Sequence, residues 1–518
     1  MMAVTDGGPA VGQRPKIRPR RGEVAAAALA LLTTAVSLWI AVDIFETIPH
    51  VEDEFAYLWQ ANVMAGRRIA LPSPPEAESF LVPFVVDHAG LRFGKYPPGW
   101  PAALAVGVAA GAPYVVNPLL AGLAVWLTFR LGQRLIGSLA GFLAALLTAT
   151  SPMLLMLSGS LMPHMLSLIL TLGLMLAWFD LFLPHTKIVA PGSARRVRIA
   201  VVGSCLGLLI LTRPVTAIAV AFPFALHALY LLLRYRGRFL GDLSAIAALT
   251  AAVGVILPLW QWTLTGDAWV NPYTLWWPYD RMGFGKGVGP LATGHTLQQA
   301  WINTRLSLYA WQHDLFGWLY LSWAFLPLGL LSLRRRPEAW LALAIFPALV
   351  VVYMAYWVGS WLLGPRYFVE ALPMLASIGA AGMAWAGGWA QAGARGGRVR
   401  HLTAAAIVAM LLLMNISLYL PVRLGGLREL FGISRSAIVA FQEVDPGAAV
   451  VIVHRNPYWH GYGNLLTLTQ PFLESELKLI YERGPEIDAR AAALFPDLPV
   501  YHYYPDEPGK LYDVPREE

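Results

Sequence analysis

Residues 24–57 read VAAAALALLTTAVSLWIAVDIFETIPHVEDEFAY. Val24 to Ile44 form an apolar run matched to the ~20 residues that a helix needs to cross the hydrocarbon of a bilayer. A short loop later come three consecutive acids, Glu52-Asp53-Glu54. The run exceeds the apolar core of a signal peptide and lacks a small-residue cleavage site, so it reads as a retained span. The rest of the chain has the same character. Of 518 residues, 57% are hydrophobic and only 13% charged, and the mean hydropathy is +0.55, which places the chain in a bilayer rather than among soluble globular proteins.

Further apolar runs lie near 115–135, 138–157, 164–184, 199–213, 214–233, 241–261, 315–333, 339–359, 367–389 and 402–421, predicting about eleven transmembrane helices. The net charge of +7 comes from short basic clusters beside these runs, among them Arg18 to Arg21, Lys187 to Arg198 and Arg334 to Arg336. That is a topology signal and gives no reason to expect a nucleic-acid partner. With the basic N-terminus on the cytoplasmic side and residues 97–112 not crossing, the Arg130/Arg134, Lys187 to Arg198, Arg234 to Arg238, Arg334 to Arg336 and Arg395 to Arg400 clusters all fall inside. A crossing at 97–112 would put all of them outside. Residues 97–112 therefore read as a re-entrant or interfacial helix on the outer face, and Pro97, Pro98 and Pro101 suit a helix start.

This divides the chain into a cytoplasmic N-terminus (1–23), a transmembrane domain (24–421) with outer loops 45–114 and 262–314, and an extracytoplasmic C-terminal tail (422–518). The tail reads as a small α/β module. Ala448 to Val453 and Val500 to Tyr504 are strands, Glu474 to Arg483 looks helical, and Ala489 to Leu494 is a short helix. There is no repeat of solenoid period. The single cysteine, Cys205, excludes an internal disulfide and a Cys-based zinc site.

The residues able to do chemistry gather in the outer segments. Ionisable groups at a membrane boundary are costly, which singles out Glu52, Asp53 and Glu54; the plainer reading is a helix N-terminus whose carboxylates face the macrodipole. Lys95, in Lys95-Tyr96-Pro97-Pro98-Gly99-Trp100, is a lone cation at headgroup depth that can hold a phosphate or simply snorkel. Arg366, in Gly364-Pro365-Arg366-Tyr367, lies on the side that the positive-inside rule disfavours and calls for an anionic partner. Arg213, before Pro214, is a candidate of the same kind. His164 opens a span, and His313-Asp314 precedes another; a lone histidine is more often structural. A divalent metal on the acidic cluster is not favoured, because consecutive helical residues diverge by about 100°. Trp269, Tyr273, Trp276, Trp277 and Tyr279 can stack on a sugar or anchor at an interface.

Taken in order, Asp53-Glu54-Phe55-Ala56-Tyr57 with Gln60-Ala61 and Gly66, then Lys95-Tyr96-Pro97-Pro98-Gly99, Asn117-Pro118, Arg130 and Gly137, resembles the protein mannosyltransferase and aminoarabinose transferase superfamily of GT-C type. Gly364-Pro365-Arg366-Tyr367-Phe368 through Pro373 resembles the same group, and the likeness, to its ArnT-like or RgtA/B/C/D-like branch, covers roughly residues 24–390. The family's usual Lys-Pro-Pro step is here interrupted by Tyr96.

The resemblance implies an all-α polytopic GT-C-type membrane fold in a bacterial plasma membrane, a polyprenyl-phosphate sugar donor, an extracytoplasmic acceptor and transfer with inversion. It assigns Asp53 as general base, with Glu54 as second choice. It gives Lys95 and Arg366 as the groups expected to hold the donor phosphate; Arg213 is expected beside them from its place outside the membrane, and Tyr57, Gln60, Tyr96, His164 and Tyr367 are expected to contact substrate. No general acid is needed by this chemistry, and no cofactor is assigned, a divalent metal being the unfavoured alternative: a lipid phosphate leaves without protonation when cations bind the charge it develops, so a single carboxylate suffices. A glycoside hydrolase, in contrast, usually needs two. The alternatives are a transporter or flippase of lipid-linked glycans and a ligase that transfers whole glycans.

Overall fold

The computed structural model describes residues 21–183, 192–389, 397–455 and 459–516. Residues 1–20, with most of the expected cytoplasmic N-terminus, lie outside the described residues, as do 187–191 and 395–396 of two basic clusters.

Helix α1 (Arg21–Trp39) continues through a π turn at Ile40–Ile44, so the opening apolar run is one element of 24 residues. The expected first outer loop holds α2 (Glu52–Ala65), the strands β1 (Leu71–Pro72), β2 (Val85–His88) and β3 (Leu91–Gly94), and α3 (Gly99–Ala109). The strands form an antiparallel sheet in the order β1-β3-β2. The bundle continues with α4 (Val116–Leu135), α5 (Ser138–Ala149), α6 (Pro152–Gly159), α7 (His164–Phe182), α8 (Gly192–Thr212), α9 (Pro214–Arg234), α10 (Leu240–Gly254) and α11 (Ile256–Thr265). One turn of helix, α12 (Tyr273–Trp276), precedes α13 (Leu297–Asp314), α14 (Leu326–Leu333), α15 (Pro337–Leu343), α16 (Ile345–Tyr353), α17 (Leu372–Ala386), α18 (Arg398–Met414) and α19 (Leu420–Gly425).

Among the described residues, seven helical elements are long and apolar enough to cross a membrane, or up to nine if each of two bent pairs is one crossing. The eleven apolar runs do not become eleven such elements, for local reasons. The run 339–359 breaks into α15 and α16, and 199–213 belongs to α8, whose first turns carry Arg195, Arg196 and Arg198. The run 97–112 contains only the 11-residue α3, about 16 Å of helix and too short to cross. Helix α13 begins at Leu297, inside the expected second outer loop 262–314. Large apolar side chains stand exposed along the bundle, as at Leu31 and Leu233, both 73% exposed, which suits helices that face lipid. The chain is a multi-pass integral membrane protein.

Small residues let the inner helices meet. A Cβ on Gly382 of α17 would lie 2.0 Å from the Phe325 carbonyl oxygen, and one on Gly329 of α14 would lie 1.9 Å from that of Ile378. Close backbone contact of this kind replaces the hydrophobic drive that lipid removes.

The C-terminal module comprises α20 (Arg435–Gln442), β4 (Ala449–Val453), α21 (His460–Leu465), β5 (Leu477–Tyr481), α22 (Pro485–Ala492) and β6 (Val500–Tyr503), with a parallel sheet in the order β5-β4-β6. All five residues of the central strand β4 are buried, as a continuous apolar run covered on both faces should be. Residues 474–483, expected to be helical, instead supply β5. Leu479 packs on one face with Phe441 and Val451, and Ile480 on the other with Phe80 and Val450. The period-two pattern prevailed over the helix propensity of Glu, Leu and Lys. The module docks on the first loop through Phe80 against Phe495 and Arg490 Nε, 2.6 Å from Glu76 Oε1.

Candidate active site

The acidic cluster lies where α2 begins, and its members part company at once. Glu54, 1% exposed, accepts the amide N–H groups of His50 (2.9 Å) and Val51 (3.1 Å) on Oε2 and that of Leu161 (2.7 Å) on Oε1. It fastens the start of α2 to the connection between α6 and α7. Burial pushes its carboxyl up to about 7, against the pull of those three amides. Glu54, the second choice for a base, does not line the cavity that Asp53 enters, because adjacent helical residues point about 100° apart. Glu52 is half-buried, and burial and Asp53 raise its pKa while Lys95 opposes them.

Asp53 faces a cavity of about 510 Å³, shared with Tyr57, Lys95, Tyr96, His164, Arg213, Arg366 and Tyr367. The Tyr96 hydroxyl donates to Asp53 Oδ1 at 2.5 Å, and Arg366 Nη2 lies 3.9 Å from Oδ2. One carboxylate oxygen is thus held while the other faces a cation across a gap. Tyr57, one turn along α2, packs on the Tyr96 ring with the centroids 4.3 Å apart and the planes tilted by 37°. Gln60 does not line the cavity. It joins α2 to the sheet, accepting the Gly94 N–H at 2.8 Å and donating to the Ile69 carbonyl at 3.0 Å.

Lys95 follows directly on β3, and its own N–H donates to the Phe84 carbonyl at 2.9 Å. Its ammonium sits 3.2 Å from Asp280 Oδ2 and 3.6 Å from the centre of the Phe84 ring, with Trp277 and Tyr273 at 4.8 and 5.0 Å. Burial lowers the pKa of this ammonium, and Asp280 and Asp53 pull it back up. Asp280 Oδ1 also accepts from the Tyr356 hydroxyl and the Trp357 indole, both at 3.1 Å.

Two glycines bring the remaining cations in. A Cβ on Gly99 would stand 2.7 Å from the Leu211 carbonyl, so only glycine lets the Pro-Pro step lie against the end of α8, next to Arg213. Gly364 has φ +77°, a left-handed backbone that glycine adopts without strain, so the turn that presents Arg366 calls for glycine. Arg213 Nη1 is 2.7 Å from Glu370 Oε1 and its Nη2 donates to the Tyr353 hydroxyl at 3.0 Å, while Glu370 also accepts the Ser167 hydroxyl. Arg366 Nη1 and both ring nitrogens of His164 are buried with no hydrogen-bond partner among the described residues. Tyr367 stacks on Tyr353 at 4.6 Å, and its N–H donates to Ser360 Oγ at 3.0 Å.

Of the loop aromatics, Tyr273 and Trp277 line the cavity. Tyr279 stacks behind Trp277 at 5.9 Å, Trp276 packs on Phe84, and Trp269 is 89% exposed. Asp314 lies elsewhere, bound by Arg423 at 3.0 Å and Tyr419 at 2.8 Å, and His313 is held by the Tyr309 carbonyl. Sequence reasoning missed Asp280 and Glu370, the buried acids that pair with Lys95 and Arg213. An acid directly after a run of aromatics, as in Trp276-Trp277-Pro278-Tyr279-Asp280, was the available signal.

The walls present Lys95, Arg213, Arg281 and Arg366 against Asp53 and Asp280. An anion that enters meets a positive surplus inside aromatic walls. Among the described residues, no group of three or more His, Cys, Asp or Glu is placed to hold a metal ion.

No family model and no curated protein matches the chain. Solved structures do. ArnT from Cupriavidus metallidurans bound to undecaprenyl phosphate superposes with a TM-score of 0.55 at 14% identity, over 92% of this chain and 89% of that one. Archaeoglobus fulgidus oligosaccharyltransferase gives a TM-score of 0.55 at 12% identity, over 88% of this chain and 64% of that one. The archaeal oligosaccharyltransferase AglB in complex with an inhibitory peptide and a dolichol-phosphate gives 0.54 at 13%, over 92% and 69%. At these identities the likeness is one of fold, and the fold is the GT-C type that the motifs imply.

Proposed function

We propose that this chain is a membrane glycosyltransferase that moves a sugar from a polyprenyl-phosphate donor to an acceptor hydroxyl on the extracytoplasmic side, with inversion and with Asp53 as general base. One observation carries the reading: a carboxylate with one oxygen fixed by Tyr96 faces Arg366 across 3.9 Å, in an aromatic-walled cavity with excess positive charge. The solved structures of the same fold add support, since ArnT is bound to undecaprenyl phosphate and AglB to a dolichol-phosphate.

In the proposed reaction the acceptor O–H gives its proton to Asp53 Oδ2 as its oxygen bonds to the anomeric carbon. The bond from that carbon to the phosphate oxygen breaks, and the electron pair leaves with the lipid phosphate. Arg366, with a buried Nη1 free of partners among the described residues, and Arg213 receive the developing charge in a site of low dielectric. Lys95 adds a third cation once the phosphate competes with Asp280. Tyr57, Tyr96 and Tyr367 shape the pocket around donor and acceptor. His164, desolvated at the wall between the two arginines, is a donor for a phosphate or sugar oxygen. Glu54 and Gln60 act through position, holding α2 so that Asp53 is aimed.

The test uses purified protein in nanodiscs with labelled polyprenyl-phosphate sugars and hydroxyl acceptors. Transfer giving the opposite anomer is the expected result. Movement of the intact lipid-linked sugar across the bilayer without transfer would replace this reading with that of a flippase.

A further inference from the structure

Helix α2 is a wall between two cavities. Asp53 and Tyr57 face the one already described, while Phe55, Trp59 and Asn62, roughly half a turn round the helix, face a second of about 620 Å³. Its far side is closed by the C-terminal module, through Tyr462, Leu466, Thr467 and residues 469–475.

We infer that this second cavity binds an acidic sugar residue of a carbohydrate ligand, between Trp59 and Arg68 on the first loop and Thr467, Thr469 and Gln470 on the module. The lining has the chemistry of carbohydrate recognition: aromatic faces for the apolar side of a pyranose, with amide and hydroxyl groups for its edges. Asn62 donates its side-chain N–H to the Leu58 carbonyl at 2.8 Å and keeps its carbonyl oxygen for a ligand hydroxyl. The charge is one-sided. Arg68, Arg92 and Lys478 line the cavity against Glu474 alone. Arg92 is buried, 5% exposed; its Nη2 donates to the neutral Phe80 carbonyl, and the carboxylate in an ion pair with it, Asp87, stays 3.9 Å away. Arg68 is exposed at the rim, lying over the Phe472 ring at 5.6 Å. A buried, loosely neutralised cation with a second at the mouth selects a carboxylate or phosphate substituent.

The cavity and its ligand class stand on these observations alone. That the carbohydrate is the acceptor, gripped here while its hydroxyl reaches round α2 to Asp53, rests on the proposed function.

The test is equilibrium binding of a glucuronic acid tetramer and a neutral glucose tetramer to the full chain in nanodiscs. The acidic tetramer is expected to bind saturably and at least about tenfold tighter than the neutral one. Arg68→Glu, at an exposed position, should weaken that binding at least about fivefold. Gln470→Ala, also exposed, should weaken it less, and Asp53→Asn should leave it unchanged. Equal binding of the two tetramers, no saturable binding, or binding that ignores Arg68→Glu and is lost in Asp53→Asn would overturn the inference. Should the tetramer bind as expected while no donor sugar is transferred, this site stands and the glycosyltransferase reading falls.

Discussion

The two sides of the Asp53 cavity treat their cations differently. Lys95 is enclosed: Asp280 lies 3.2 Å away and the Phe84 ring centre 3.6 Å away, and Asp280 is itself held by Tyr356 and Trp357. Arg366 lies 3.9 Å from Asp53 and hydrogen-bonds the Tyr367 side chain, yet buries an Nη1 without a partner among the described residues. A buried cation already held by a carboxylate must give up that partner before it meets an anion, whereas one left short is poised for an incoming anion. Both residues looked alike in the sequence, as lone cations in proline-rich turns. Their neighbours, 185 residues away in the case of Asp280, set them apart.

This contrast can be broken by mutation. The largest effect expected is on stability: Lys95→Met or Asp280→Asn alone leaves a buried charge unpaired and should cost about 3–5 kcal/mol, read as a fall in the unfolding midpoint. The double variant should cost clearly less than the sum of the two. Additive losses would mean that the pair is not a unit. Arg366→Met should behave in the opposite way, with little loss of stability and KM for the donor raised about 10- to 100-fold; a change in the unfolding midpoint with KM intact would reverse the roles assigned to the two sides.

A smaller effect concerns Glu54. Burial lifts its carboxyl from an ordinary 4.5 to about 7, so the folded state binds the proton more tightly than the unfolded chain does. The resulting stabilisation is complete below 4.5 and is lost as pH rises through about 7. Unfolding midpoints measured between about pH 5 and about pH 8 should fall with pH in the native sequence, and Glu54→Gln should remove that slope while costing about 1–3 kcal/mol at low pH. The smallest effect is expected from Trp269→Ala on the exposed part of the aromatic loop, within about 0.5 kcal/mol and with no change in donor KM.

Much of this architecture was legible in the sequence because apolar runs and basic clusters act locally. The run at 24–44 became α1, and the charge bookkeeping that kept 97–112 from crossing agrees with the short α3. The same reasoning picked out Asp53, Lys95, Arg213 and Arg366, which the fold brings to one cavity. What stayed hidden depends on contact between distant segments. Glu370 meets Arg213 across 157 positions, and no spacing rule joins them. Asp53 and Glu54 could not be ranked by composition, since their difference lies in which way each points from α2 and in the amide of Leu161. Residues 474–483 looked helical because Glu, Leu and Lys favour helix, yet β4 offered an edge to pair with. The aromatic loop was noticed for its tryptophans, and its acid was passed over.

The proposed chemistry turns on Asp53, and single-turnover transfer separates its role from binding. Protein preloaded with labelled polyprenyl-phosphate sugar is mixed with acceptor, and retention of the donor is measured on the same sample. If Asp53 is the base, Asp53→Asn keeps the donor bound but transfers its sugar about 100- to 10,000-fold more slowly. Transfer at the native rate by that variant, with donor binding intact, would contradict it.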